Sequence, residues 1–286
     1  MSFQRILSVI IRRLNFLLYQ IWAKFKSNSV EANSLISIDI IIPIIEKDIK
    51  VLPLCLEGLR KNVRNIINEI YIVAPKIDQI TDFTKNNNLI FIDENSILGY
   101  SSKDINYLTI NGLDRSGWIF QQLIKLSGKL GTSRYFLVID ADHILLKPHT
   151  FLTQENLMVF YKSSEFHFPY YKMNYKLLKV ISVPFLSYVS HKMIFDKEDL
   201  IRLHRNIERC SHNKLNWDKI ILSNLDVNES SCFSEFELYG SFVNSTKKIM
   251  LPWKQKALKR NKLTSFEDLK NHYSKYWSVT LPSYLT

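Results

Sequence analysis

Asp140 and Asp142 stand one residue apart, directly after the apolar run Tyr135-Phe136-Leu137-Val138-Ile139. A run that is apolar on both faces reads as a buried parallel strand. Carboxylates at the C-terminal edge of such a strand sit where open α/β sheets bind their ligands. Two acidic side chains there can hold a divalent cation, Mn²⁺ or Mg²⁺, and the cation can hold a diphosphate. The chemistry suggested is the handling of a nucleotide-sugar. An ordinary strand end, with the aspartates capping the next turn, accounts for the same triplet, so its surroundings have to separate the two readings.

Four other constellations bear on that choice. In Ile42-Pro43-Ile44-Ile45-Glu46-Lys47-Asp48, the turn after a first strand can cradle a nucleoside through backbone groups. Arg115-Ser116-Gly117-Trp118-Ile119-Phe120-Gln121-Gln122-Leu123-Ile124-Lys125 opens a helix. Gly117 would let the chain approach a ligand closely. Gln121 and Lys125 are four residues apart and share a helix face, where they can meet sugar hydroxyls or phosphate. In Ser234-Glu235-Phe236-Glu237-Leu238-Tyr239-Gly240, Ser234 is suited to cap a helix whose first turn holds two acids. Such an acid, facing a metal–diphosphate site, can act as a base on an acceptor hydroxyl. His191 and His272 are candidates for a further metal ligand, whereas His143, directly after the acid pair, reads as pointing away from the metal or supporting the turn. Each of these motifs also has a plain structural explanation: a strand–helix turn, a solvated helix face, a cap, or a packed histidine.

Positioning these residues calls for a parallel sheet. Residues 36–44, 70–74, 89–92 and 135–139 read as strands, and 52–63 and 116–128 as helices, which predicts a Rossmann-like sheet over 36–142. Further on, 166–171 and 188–195 read as strands, and 197–210, 217–225 and 234–244 as helices. The fold class expected is α/β, with a mostly parallel central sheet flanked by helices and a smaller acceptor-side subregion. Residues 31–286 then form one domain, in which 36–142 bind the nucleotide-sugar and 143–286 supply the acceptor side.

Composition narrows the function classes. The chain has 286 residues, 7 glycines and 3 cysteines. It contains no Gly-x-Gly-x-x-Gly and no Walker-type loop, so dinucleotide and P-loop chemistry lose their main support. Cys55, Cys210 and Cys232 lie far apart without metal-ligand spacing, which fits a reducing compartment. The net charge of +11 is concentrated at the two ends. Residues 1–30 carry Arg5, Arg12, Arg13, Lys24 and Lys26 with no acid, and 247–262 carry seven lysines or arginines with no acid. Arg12, Arg13 and Asn15 interrupt the apolar stretch near the N-terminus, so it is too polar to span a bilayer. It reads instead as an amphipathic helix over 1–30 that lies on an anionic membrane surface, with 28–34 as a linker. No aromatic–basic motif for nucleic acid is visible.

Five motifs in order are first-strand Ile-Pro, Gly-Trp-x-x-Gln-Gln, Leu-Val-x-Asp-Ala-Asp, Ser-His-x-Met and Ser-Glu-Phe-Glu-Leu-Tyr-Gly. Over about 36–250 this series resembles a bacterial family of GT-A-type glycosyltransferases that occur with surface-polysaccharide genes and are often known only as a domain of unknown function. The resemblance implies a divalent cation and a nucleotide-diphosphate sugar, with UDP the commonest nucleotide among similar proteins. The basic ends of the chain would hold such an enzyme on the inner, cytoplasmic face of the bacterial membrane, beside a glycan or lipid-linked acceptor. Matched by position, Asp142 would bind metal and Asp140 ribose or metal, with Ala141 between them. Glu235 or Glu237 would be the base of an inverting enzyme. His272 would complete the metal site, with His191 as the other choice. Pro43, Ile44, Arg115, Gly117, Trp118, Gln121, Gln122, Lys125 and His191 would contact the donor. Two other classes compete. A sugar-phosphate nucleotidyltransferase uses similar acids but favours a glycine-rich loop after the first strand, which Glu46-Lys47-Asp48 lacks. A non-catalytic basic binder of membrane or nucleic acid would account for the charge alone.

Overall fold

A computed structural model describes residues 3–25, 33–163, 165–181, 186–211, 214–262, 264–283 and 285. The chain begins with a long helix, α1 (Phe3–Phe25). The linker expected at 28–34 lies almost wholly outside the described residues.

The first half alternates strands and helices: β1 (Ser34–Pro43), α2 (Leu52–Asn62), β2 (Asn65–Ala74), α3 (Asp78–Asn86), β3 (Ile90–Asp93), a single turn α4 (Asn95–Leu98), α5 (Ser116–Leu126) and β4 (Tyr135–Ile139). The second half contributes β5 (His143–Leu145), β6 (Met158–Lys162), α6 (Phe168–Leu178), β7 (Lys192–Asp196), α7 (Lys197–Cys210), α8 (Trp217–Ser223), α9 (Glu235–Phe242), β8 (Lys248–Pro252), β9 (Gln255–Ala257), α10 (Phe266–His272) and β10 (Ser278–Thr280).

The central sheet runs β3-β2-β1-β4-β7. Its first four strands are parallel, and β7 pairs antiparallel with β4. This is the expected α/β class, a mostly parallel sheet flanked by helices. β1 is isoleucine-rich because both of its faces are covered, and Ile38, Ile40, Ile41 and Ile42 are fully buried. β2 and β3 build outward on one side of β1, and β4 on the other. The crevice at the C-terminal ends of β1 and β4 is therefore a topological switch point, where such sheets bind ligands.

The spacing of β1 and β4 is held by a buried acid within β1. Asp39 accepts hydrogen bonds from the Thr132 and Ser133 amides at 2.6 and 2.7 Å, from Ser133 Oγ at 3.0 Å, and from Asn68 Nδ2 at 2.9 Å. Four donors satisfy a carboxylate that burial would otherwise make costly. Gly131 begins this loop with φ at +67°, and a Cβ there would lie 2.4 Å from Asp39 Oδ2.

Several expectations are corrected. Between β2 and β3 the chain forms α3, because successive parallel strands need a crossover. Residues 166–171 are not a strand. Pro169 takes the first turn of α6, where its fixed φ suits a helix, and the buried Met173, Asn174, Leu177 and Leu178 follow at helical spacing. The strand expected from 188 begins only at Lys192, because His191 has a left-handed backbone, φ +62°. The 234–244 helix spans Glu235–Phe242, with Ser234 as its cap.

A small sheet, β5-β10-β9, brings the end of the described chain back to the switch point. The Leu281 amide donates to the Asp142 carbonyl at 2.9 Å.

Candidate active site

A cleft of about 300 Å³ opens at the switch point. The edge of β1 contributes Pro43, Ile45, Lys47 and Asp48, and one face of α5 contributes Trp118, Gln121, Gln122 and Lys125. The end of β4 contributes Asp140, Ala141 and Asp142, and the returning chain contributes Pro282 and Ser283. Tyr170, Val189, His191, Ser234, Glu235 and Phe236 complete the wall.

Its centre is a charge network. Lys125 Nζ lies 2.9 Å from Asp140 Oδ1 and 2.8 Å from Glu235 Oε1. His191 Nδ1 lies 3.1 Å from the other oxygen of Asp140. The left-handed turn at His191 makes this possible, since it also brings the His191 carbonyl to 3.0 Å from the Asp140 amide. A strained backbone on a histidine at a ligand cleft is the kind of feature that clusters at functional sites. Burial alone would raise the Asp140 carboxyl, but Lys125 and His191 outweigh it and hold it well below the usual range. Burial lowers His191, yet the bond to Asp140 raises it overall. Lys125 is likewise pushed up overall by its two carboxylates, against its burial.

Asp142 differs from Asp140. It makes no side-chain hydrogen bond or ion pair with a described residue. Burial, and next the charge of Asp140, push its carboxyl up to about 6. An acid that is half-desolvated and lacks a bonded partner lowers its own energy by taking a cation. Among the described residues, no group of three or more His, Cys, Asp or Glu could hold a metal alone. Two adjacent carboxylates therefore fit a cation that completes its shell with substrate phosphates, the usual mode for Mg²⁺. They do not fit an all-protein cage.

Of the residues singled out in the sequence, Pro43, Trp118, Gln121, Gln122, Lys125, Asp140, Ala141, Asp142, His191 and Glu235 all line the cleft. Five lie elsewhere. Ile44 is fully buried in the core, with its amide bonded to the Val73 carbonyl at 2.9 Å. The Arg115 guanidinium packs over the Trp118 ring at 4.1 Å and does not line the cleft. Gly117 faces open space and is not in the cleft wall. Glu237 points away from the cleft. It is buried and accepts from Ser187 Oγ at 2.8 Å and the Tyr188 amide at 2.9 Å, so its work is to hold that loop. His272 ends the short helix α10, exposed, with Nδ1 2.9 Å from the Asp268 carbonyl, and it does not join the acid pair.

Sequence reasoning missed Tyr170, because 166–171 looked like a strand. It also missed Arg260, which donates to the Lys47 carbonyl at 2.7 Å and the Leu281 carbonyl at 2.8 Å and pairs with Asp48. Arg260 thus ties the turn after β1 to the returning chain, a contact between residues more than 200 apart that no local pattern reveals.

A search of curated proteins finds no match. Among solved structures, mouse xyloside xylosyltransferase 1 in its apo form aligns with 9% identity and a TM-score of 0.47, over 88% of this chain and 99% of that one. The WbbM bifunctional glycosyltransferase aligns with 12% identity and a TM-score of 0.44, over 89% of this chain and 48% of that one. The galactosyltransferase LgtC, in complex with donor and acceptor sugar analogues, aligns with 8% identity and a TM-score of 0.40, over 85% and 87%. A family profile, described as a family of unknown function (DUF6492), matches residues 36–278. That match runs from β1 into β10 and takes in every wall of the cleft except the last turn of chain, so the protein belongs to the DUF6492 family.

Proposed function

We propose that the protein is a GT-A-type glycosyltransferase that moves a sugar from a nucleotide-diphosphate donor, a UDP-sugar first among them, to a glycan or lipid-linked acceptor hydroxyl. The observation that carries this reading is the placement of Asp140 and Asp142 at the C-terminal edge of β4, beside β1 and at the reversal of strand order, with Lys125, His191 and Glu235 converging on them.

Each residue has work in that reaction. The turn Ile45–Asp48 lies at the end of β1, where backbone groups can meet a nucleoside base. Gln121 and Gln122 project from α5 into the cleft as donors for sugar or phosphate oxygens. Gln122 Oε1 accepts from the Glu235 amide at 3.1 Å, while its buried Nε2 has no partner among the described residues. A buried donor left open in this way favours an incoming acceptor atom. Asp142, with Asp140 behind it, would hold a divalent cation, which when bound offsets charge developing on the leaving diphosphate. Lys125 and His191 keep Asp140 ionised and fixed in orientation. Glu235 sits at the start of α9 within the cleft and is the carboxylate available to take the proton of an attacking hydroxyl. Were configuration retained instead, Glu235 would hold the acceptor.

The test is a donor-hydrolysis and transfer screen with UDP-, GDP- and CMP-sugars, with and without Mn²⁺. Turnover of one donor class, lost with chelator and lost in Asp142→Asn, is expected. No turnover and no binding of any nucleotide by the intact protein would remove the proposal.

A further inference from the structure

α1 is docked along one stripe and open along another. Ile11, Asn15, Tyr19 and Trp22 recur at helical spacing and are, among the side chains described, the partly or fully buried positions of the helix. Tyr19 donates its hydroxyl to the Trp253 carbonyl, and the helix packs on β8. At 100° per residue, Leu7, Ile10, Leu14, Leu17, Leu18 and Ile21 fall on a continuous band of about 100° beside that stripe. Each of them is 45–56% exposed. Six large apolar side chains on one open helix face form a patch of the kind that marks an interaction surface.

Charge indicates what covers it. Residues 1–30 hold no acid. Arg13, one turn from Leu17 at the edge of the band, is exposed. The residue after the docking carbonyl is Lys254, also exposed, and Lys256 follows it in β9, in a segment again without acid. An apolar band bordered by cations complements an anionic lipid surface, where acyl chains take the leucines and headgroups take the lysines. A second copy of the chain would bring two cationic borders together. No helix among the described residues is long and apolar enough to cross a membrane, and the docked stripe of α1 packs on β8.

We infer that α1 lies in the plane of an anionic membrane and seats the protein there through the Leu7–Ile21 band, with Lys254 and Lys256 contacting headgroups. This does not depend on the chemistry assigned to the cleft.

The test is sedimentation of the full chain with vesicles of phosphatidylcholine alone or with about 30% phosphatidylglycerol. Binding to the anionic vesicles is expected. The variant Leu14→Asp/Leu17→Asp/Leu18→Asp should lower partition by about 100-fold or more. Lys254→Glu/Lys256→Glu should lower it at least about thirtyfold, on anionic vesicles only. Should the triple variant fold poorly, Leu17→Glu alone, at the most exposed position, carries the test with about a tenfold loss. The inference fails if the parent does not bind, or if the apolar variants bind like the parent. It also fails if the parent forms a concentration-dependent dimer that these variants abolish. Nucleotide binding in the cleft is the independent readout and should stay the same in every variant.

Discussion

Replacing Asp142 with Asn should make the metal-free protein more stable and leave it inactive. Burial and the Asp140 charge raise the Asp142 carboxyl from 3.8 to about 6. At 1.36 kcal/mol per unit this is about 3 kcal/mol of unfavourable charge at neutral pH, and partial solvent contact brings it to about 1–3 kcal/mol. Asn keeps the shape and removes the charge. A chain of this size should then melt roughly 2–5 °C higher at pH 7.5 in chelator. Because the folded-state value is raised, the protonated acid favours folding below about pH 4, and this contribution is lost as the pH rises through about 6. The gap between variant and parent should therefore be about half its full size at pH 5 and full above pH 7. Adding Mn²⁺ and UDP at about 100 times the Kd should close or reverse the gap, since only the parent gains about 2.7 kcal/mol from ligand. Differential scanning fluorimetry across pH 5–8, with chelator or with Mn²⁺ and UDP, reads all of this. The reasoning is refuted if the variant is the less stable protein in chelator at pH 7.5, or if the gap does not change with pH.

Four further substitutions test other parts of the account. Lys125→Met leaves Asp140 and Glu235 without their shared cation, and urea unfolding should show a loss of about 3–5 kcal/mol. Glu235→Gln should abolish sugar transfer while melting near the parent. Glu237→Gln should retain transfer within a few-fold and shift the melt instead, since its carboxylate holds Ser187 and Tyr188; equal losses of activity in the two would contradict the separation of their roles. Gly131→Ala puts a methyl 2.4 Å from Asp39 Oδ2 at a left-handed position, and calorimetry should show a loss of at least about 2 kcal/mol.

The parts of the fold legible in the sequence were those set by local periodicity. The isoleucine run of β1, the Tyr135–Ile139 strand and the Lys197–Cys210 helix announce themselves by burial pattern and cap, the last through Asp196 accepting from the Glu198 amide at 2.9 Å. The aromatic stretch around Phe168 misled because Phe and Tyr favour strands, while Pro169 decided the outcome as a helix starter. The β5-β10-β9 sheet was invisible, being three short strands of which β5 and β10 pair across more than 100 residues. In the cleft, residues on β4 and α5 were readable because strand ends and helix faces project predictably. Glu235 and Glu237, two apart at a helix start, could not be told apart by type. Only the packing of α9 sends one to Lys125 and the other to Ser187. His272 was attractive for its chemistry, but it sits on a helix that packs against α2.

Diffraction from crystals soaked with UDP and Mn²⁺, collected at the manganese edge, tests the central claim most directly. The account predicts one anomalous peak within coordination distance of the Asp142 carboxylate, shared with the diphosphate oxygens. Nucleotide bound in the cleft with no peak there, or a peak at residues other than Asp140 and Asp142, would contradict it.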